Sequence, residues 1–208
     1  MAEPELIEFD VFYDYQCPYV YRLSVLLTAI ASSSAHPPQV GWRYFSLTQV
    51  NSKDDGWTVW GAPANVRVAG RLGFQAAEAA RRQGRFKDLH FALLNARHRD
   101  GLDLDAIPVV ESIASKFGLD MARFRADLDD PTILDALARD HRAGVEQHGV
   151  FGTPTIVLPD GAAAYVRLAA AVDGPDAPAL FDRVMSIVAG EPRIREIKRP
   201  VRPRPTTG

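Results

Sequence analysis

The 208-residue chain contains a single cysteine, and its neighbours determine what it can do. Cys17 lies in Asp14-Tyr15-Gln16-Cys17-Pro18-Tyr19-Val20, where an alternating apolar stretch gives way to a helical pattern. Free backbone N–H groups and the helix dipole at a helix N-terminus favour an anion. A thiolate at such a position is stabilised and becomes a usable nucleophile. Pro18 suits the first turn because it has no N–H to leave unpaired. The competing reading of a single cysteine is a buried, inert core side chain. A second stretch, Phe151-Gly152-Thr153-Pro154-Thr155, precedes a short apolar run. Proline at a strand entrance cannot donate to the ladder. Either Pro154 is an ordinary trans proline at a strand's first residue, or the Thr153–Pro154 bond is cis. In the cis case the Thr153 backbone turns outward, its N–H and C=O free to pair with an extended ligand.

The elements that must position these residues can be read from periodicity. Residues 6–15 predict a strand with Ile7, Phe9, Val11 and Tyr13 on one face. Residues 19–31 predict a helix with Leu23, Leu26, Leu27 and Ile30 on one stripe. Residues 40–47 predict a second strand, with Trp42 and Tyr44 on one face and Phe45 and Leu47 on the other. This β-α-β opening predicts a parallel pair. Residues 62–148 carry helical signals only, in segments 74–83, 86–98, 107–117, a short helix capped by Asp120, and a last helix from Asp130-Pro131 to about His148. Residues 155–158 predict a strand, Pro159-Asp160-Gly161 a turn, and residues 165–168 its hairpin partner. Pro178 opens a final helix with Leu180, Phe181, Val184, Met185 and Val188 on one face.

The strand ending in Cys17-Pro18, the helical block, and Gly149-Val150-Phe151-Gly152-Thr153-Pro154-Thr155 together resemble the DsbA-like branch of the thioredoxin superfamily, over residues 6–190. That branch includes FrnE-type cytoplasmic proteins, kappa-class glutathione transferases and 2-hydroxychromene-2-carboxylate isomerases. The resemblance implies an α/β, thioredoxin-like fold with an all-helical insertion domain. Residues 1–61 and 149–190 would form the thioredoxin-like domain, 62–148 the insertion, and 191–208 a basic, proline-rich tail. It also implies that Pro154 is cis and faces Cys17 across the active site. Dithiol members carry Cys-x-x-Cys, whereas this chain has Cys17-Pro18-Tyr19-Val20. A thiol three residues on would lie one turn away and resolve a mixed disulfide, which Val20 cannot do. Monothiol chemistry remains: attack on a disulfide, exchange with glutathione, mycothiol or another small thiol, or oxidation to a sulfenic acid. Gly174-Pro175-Asp176 resembles a turn that, in glutathione-using relatives, holds the amino end of the thiol. Asp176 also reads as the N-cap of the last helix, and the two roles are compatible. Those relatives commonly carry serine where Cys17 stands.

Tyr15 and Tyr19 are expected at the rim of the site, with Thr153 and Pro154 aligning the substrate. His90 reads as a hydrogen-bonded core histidine rather than a general base. His141 and His148 stand seven apart, unlike helical metal ligands, so no metal is expected. Trp57 and Trp60 either roof a cleft or pack between domains. Gly70 and Gly73 fall within an expected helix and form no phosphate loop. Hydrophobic residues make up 47% and charged residues 24%, the composition of an ordinary globular protein. One cysteine excludes an intrachain disulfide framework and a cysteine-rich zinc site. The acidic opening residues lack a signal-peptide pattern, and no apolar run approaches a membrane span, so a cytoplasmic protein with no membrane partner is expected. A net charge of −2 argues against a nucleic-acid partner. From Glu191 onward six basic and two acidic residues give a net of +4, which leaves −6 for the remainder; this tail is expected to be a solvated terminus. The expected activity is thiol-disulfide exchange with a small thiol or protein and no tightly bound cofactor. A kappa-type transferase or isomerase, or a binding module that has lost redox function, are the alternatives. Relatives dimerise, so a homodimer is compatible.

Overall fold

The computed structural model describes residues 7–191, 193, 194 and 196; the remainder of the basic tail lies outside them. Four strands form one mixed sheet in the order β2-β1-β3-β4. β1 (Glu8–Tyr13) and β2 (Gln39–Tyr44) run parallel, with Val11 opposite Trp42 and Tyr13 opposite Tyr44. The connection between them is α1 (Pro18–Ser33), as a parallel pair requires. β3 (Thr155–Val157) lies antiparallel to β1, and β4 (Ala163–Tyr165) antiparallel to β3. The sheet thus joins the first forty-odd residues to the end of the chain, and the helical block is spliced between. It comprises α3 (Arg71–Arg81), α4 (Phe86–His98), α5 (Ile107–Ala114), α6 (Met121–Asp129) and α7 (Asp135–His148). The final helix, α8 (Ala177–Gly190), packs beside α1.

β1 is buried on both faces. Phe9, Val11 and Tyr13 enter the main core, while Phe12 joins Phe45, Val150 and Val157 in a second cluster. Ile7, expected on the inner face, precedes the strand and is exposed. Gly144 allows α7 to close over the second cluster. A Cβ there would stand 2.8 Å from Phe12 Cε1, closer than packed carbons approach. The main core runs without a break from β1 and α1 into Phe74, Leu89, Leu93 and Phe124 of the helical block.

Several boundaries differ from the expectation. β2 ends at Tyr44, because Ser46 caps a four-residue helix, α2 (Leu47–Val50), by accepting from the Gln49 N–H. Residues 45–47 therefore leave the sheet. β4 occupies 163–165 rather than 165–168, since the turn at Gly161 (φ +88°) closes the hairpin directly. Gly70 is not inside a helix: at φ +80° it precedes α3 and donates its N–H to the Asp105 carboxylate. The helix expected from Pro131 begins as a 3-10 turn, Pro131–Leu134, before α7. Trp57 and Trp60 pack against the core, and Trp60 lies against the His141 ring (5.4 Å) under Arg142. They are packing residues rather than a roof. Among the described residues no helix is long and apolar enough to cross a membrane.

Candidate active site

Cys17 is the last extended residue before α1 (φ −85°, ψ 114°) and occupies its N-cap position, followed by Pro18. No side chain caps the first turn and no acidic residue stands in it. A thiolate at this position is therefore the anion nearest the positive end of the helix. The backbone around it is tightly held. The Cys17 N–H donates to the Asp14 carbonyl (3.1 Å), and the Cys17 carbonyl accepts from Val20 and Tyr21. The side chain is 4% exposed.

The β3 entrance meets this sulfur. The Thr153–Pro154 peptide is cis, and the Cys17 thiol donates to the Thr153 carbonyl at 3.1 Å. That carbonyl is thus already engaged in the resting state, whereas the sequence reading left it free. The bond needs the thiol proton, so forming the thiolate releases the carbonyl. The Thr153 N–H has no partner among the described residues. Its hydroxyl is also without one, although the side chain is only 2% exposed. A buried polar atom in that condition is unusual. The neighbouring Thr155 hydroxyl, by contrast, donates to the Gly152 carbonyl (2.8 Å).

The turn that delivers Cys17 is fixed from behind by residues the sequence reading did not assign. Asp14 is fully buried and accepts from the Gln16 and Leu47 N–H groups at 2.8 and 2.7 Å. Burial pushes its carboxyl up to about 6, against the pull of those two N–H groups. His98 of α4 donates Nε2–H to the Tyr15 carbonyl (2.8 Å), which assigns its tautomer, and stacks on Tyr21. Tyr15 itself does not line a rim. It is 1% exposed, and its hydroxyl meets His90 Nδ1 at 3.0 Å inside a nest of Tyr13, Trp42, Phe74 and Phe86. Tyr15 lies in the turn after β1, and its hydroxyl is drawn inward to His90 of α4 instead of to solvent. His90 is a core histidine, held neutral because burial drives its pKa well below the ordinary value; its Nε2 has no partner.

The solvent side of Cys17 is aromatic and cationic. Tyr19, two residues on, is half-buried. The Arg167 guanidinium lies over its ring at 4.0 Å and donates to its hydroxyl. Arg167, Tyr165 and the Cys17 sulfur lie close enough together to act electrostatically on one another. Phe151, 67% exposed, packs edge-on against Tyr165 at 5.1 Å. Arg22 approaches Tyr19 at 5.1 Å and donates to the Leu168 carbonyl. Val20 is fully buried in the core, one turn into α1. Asp176 is exposed at the start of α8. It occupies the cap position but makes no capping hydrogen bond, because its backbone is already helical (φ −80°, ψ −10°). No hydrogen bond or ion pair among the described residues joins it to Cys17 or Thr153. A hollow of about 470 Å³ lies at the far end of β1, lined by Phe9, Gln39, Gly41 and His148, and contains no nucleophile.

A family model described as the DSBA-like thioredoxin domain matches residues 8–185. The chain belongs to this family. An uncharacterised protein of Mycobacterium tuberculosis, Rv2286c, is 28% identical over 201 residues, covering 93% of this chain and 82% of its own. Among solved structures, a probable DsbA oxidoreductase of Streptomyces coelicolor superposes with a TM-score of 0.62 at 19% identity, covering 94% and 93% of the two chains. The cytosolic disulfide reductase DsbM of Pseudomonas aeruginosa, solved with GSH, gives 0.58 at 18%, covering 86% and 99%. At these identities the likeness is one of fold, and it accounts for the splicing of this DSBA-like chain's helical block into a thioredoxin-type sheet.

Proposed function

We propose that this DSBA-like chain is a cytoplasmic monothiol thiol-disulfide oxidoreductase acting through mixed disulfides. The carrying observation is the pairing of one nucleophile with one backbone acceptor: Cys17 at the N-cap of α1, with Thr153 O 3.1 Å from its sulfur. In the first step the Cys17 thiolate attacks one sulfur of a substrate disulfide. The Cys17–substrate S–S bond forms, the old S–S bond breaks, and the second half leaves as a thiolate. The thiol proton passes to solvent or to the leaving thiolate. Deprotonation frees the Thr153 carbonyl, which together with the Thr153 N–H can then pair with the substrate backbone beside Pro154. Val20 offers no second thiol, so an external thiol must attack Cys17 to regenerate it. That thiol is small, such as glutathione, or belongs to a protein. The GSH seen with DsbM is in keeping with a small thiol.

The test is intact-mass analysis after incubation with oxidised glutathione. One glutathione adduct per chain, reversed by reductant and absent in Cys17→Ser, supports the reading. An unmodified native chain overturns it.

A further inference from the structure

The surface beside Cys17 carries two guanidiniums directed at one aromatic ring. Arg167 lies 4.0 Å from the Tyr19 ring centre and Arg22 lies 5.1 Å from it. Neither takes part in any ion pair among the described residues, whereas ten pairs occur elsewhere. Their hydrogen bonds go to neutral oxygens: Arg22 to the Leu168 carbonyl, Arg167 to the Tyr19 phenol. Two cations held this way around a nucleophile form a receptor short of its anion. The unpartnered Thr153 hydroxyl, buried beside the same sulfur, is a further group awaiting a ligand. Phe151 and Tyr165 add exposed aromatic surface beside Arg167.

We propose that Arg167, assisted by Arg22, selects thiol and disulfide partners that carry a carboxylate, reading that carboxylate while Cys17 exchanges with the sulfur. The inference rests on the thiol-exchange reading above and narrows its substrate class. Of the small thiols considered, glutathione carries free carboxylates and mycothiol carries none, so the geometry favours the former. The step is the same exchange: one S–S bond forms at Cys17, one breaks, and the departing half leaves as a thiolate. The arginines hold charge and transfer nothing. Arg167 is a specificity residue, since its guanidinium is positioned to touch the substrate; it also faces the developing thiolate, which any disulfide substrate would sense equally.

The experiment separates these effects by comparing two aromatic disulfides, dithiobis-nitrobenzoate with a carboxylate on each ring and neutral dithiodipyridine. The readout is the ratio of their second-order rates with Cys17, normalised to the same ratio for free mercaptoethanol. An exposed charge pair corresponds to about a two- to fivefold preference. The ratio is expected to fall by that factor in Arg167→Gln, to recover in Arg167→Lys, and to fall further in the double variant with Arg22→Gln. In the native protein it is expected to decline with added salt. If Arg167 only props up Tyr19, both rates change together and the ratio stays constant, which overturns the inference and leaves thiol exchange standing. If neither disulfide reacts with native Cys17, thiol exchange itself fails and the carboxylate preference falls with it.

Discussion

Replacing Val20 with cysteine should turn a one-thiol site into a self-resolving one. Val20 lies three residues beyond Cys17, and its N–H donates to the Cys17 carbonyl at 3.2 Å, so the two residues share the first turn of α1. Side chains three apart on a helix are neighbours, with Cβ atoms about 5–6 Å apart. That is slightly beyond the separation found in disulfides, and a small adjustment of the first turn closes it. In the native chain a Cys17 mixed disulfide is cleared only by an external thiol, at a rate proportional to that thiol's concentration. In Val20→Cys the resolving thiol is intramolecular, with an effective concentration of at least about the millimolar range. At about 0.1 mM external thiol the adduct lifetime should therefore shorten at least about tenfold. The cost is one buried branched side chain exchanged for a smaller one, about 1 kcal/mol, or about 2–4 °C in Tm for a chain of this size. The assay is intact-mass time course after a pulse of oxidised glutathione. The native chain should retain the adduct, while the variant should lose it and end two hydrogens lighter. If the variant accumulates adduct as long as the native chain does, Cys17 and position 20 do not share the geometry described here.

Tyr15→Phe removes the one hydrogen bond of the buried His90 ring and should cost about 1–3 kcal/mol. Combining it with His90→Leu should cost less than the two single changes added together, as a double-mutant cycle in urea would measure. Asp14, raised from 3.8 to about 6 by burial, keeps a proton in the folded chain that the unfolded chain has lost. Its contribution to stability is fully present below about pH 4 and lost as pH rises through 6. The stability of the native chain relative to Asp14→Asn should therefore fall by about 2 kcal/mol between pH 4 and 7; a difference that rises with pH would contradict the assignment. His90, lowered by burial, acts with the opposite sign, losing stability as pH falls below its unfolded value. Gly144→Ala sets a methyl 2.8 Å from Phe12. Overpacking of about 1–3 kcal/mol, less about 1 kcal/mol of helix propensity, should leave a net loss of about 1 kcal/mol, read as a lower thermal midpoint.

Much of this was legible in the sequence where the governing physics is local. The start of α1 follows from Cys17-Pro18 at the end of an alternating run, and the parallel β1–β2 pair follows from a helix between two strands. The helical block could be read because its segments are long and periodic. What failed was short or non-local. α2 spans four residues and is visible only once β2 is known to end at Tyr44. β4 is three residues of Ala-Ala-Tyr with no branched side chain to mark it, so the expected strand starts two residues late. Arg167 meets Tyr19 across 148 positions, a contact no spacing rule can supply. Tyr15 reads from the sequence as a rim residue, but its burial against Tyr13 and His90 is a property of the packed helical block. Asp176 looked like a cap because its residue type is right. Its backbone dihedrals are helical, and a side chain there does not reach back to cap.

Cys17 is held from two sides. Asp14, His98 and the Tyr15–His90 pair fix the turn from the core side through hydrogen bonds to backbone and ring atoms. The β3–β4 hairpin approaches from the other side and brings Thr153, Tyr165 and Arg167. Perturbing the first should move the sulfur itself and slow exchange with every disulfide alike. Perturbing the second should leave the sulfur in its turn and change which partner it accepts. Tyr15→Phe and Arg167→Gln are thus expected to separate kinetically: the first lowers both probe rates at a constant ratio, and the second shifts the ratio. If Tyr15→Phe also shifted the ratio, the turn and the hairpin would be one coupled unit, and charge selection could not be assigned to Arg167 alone.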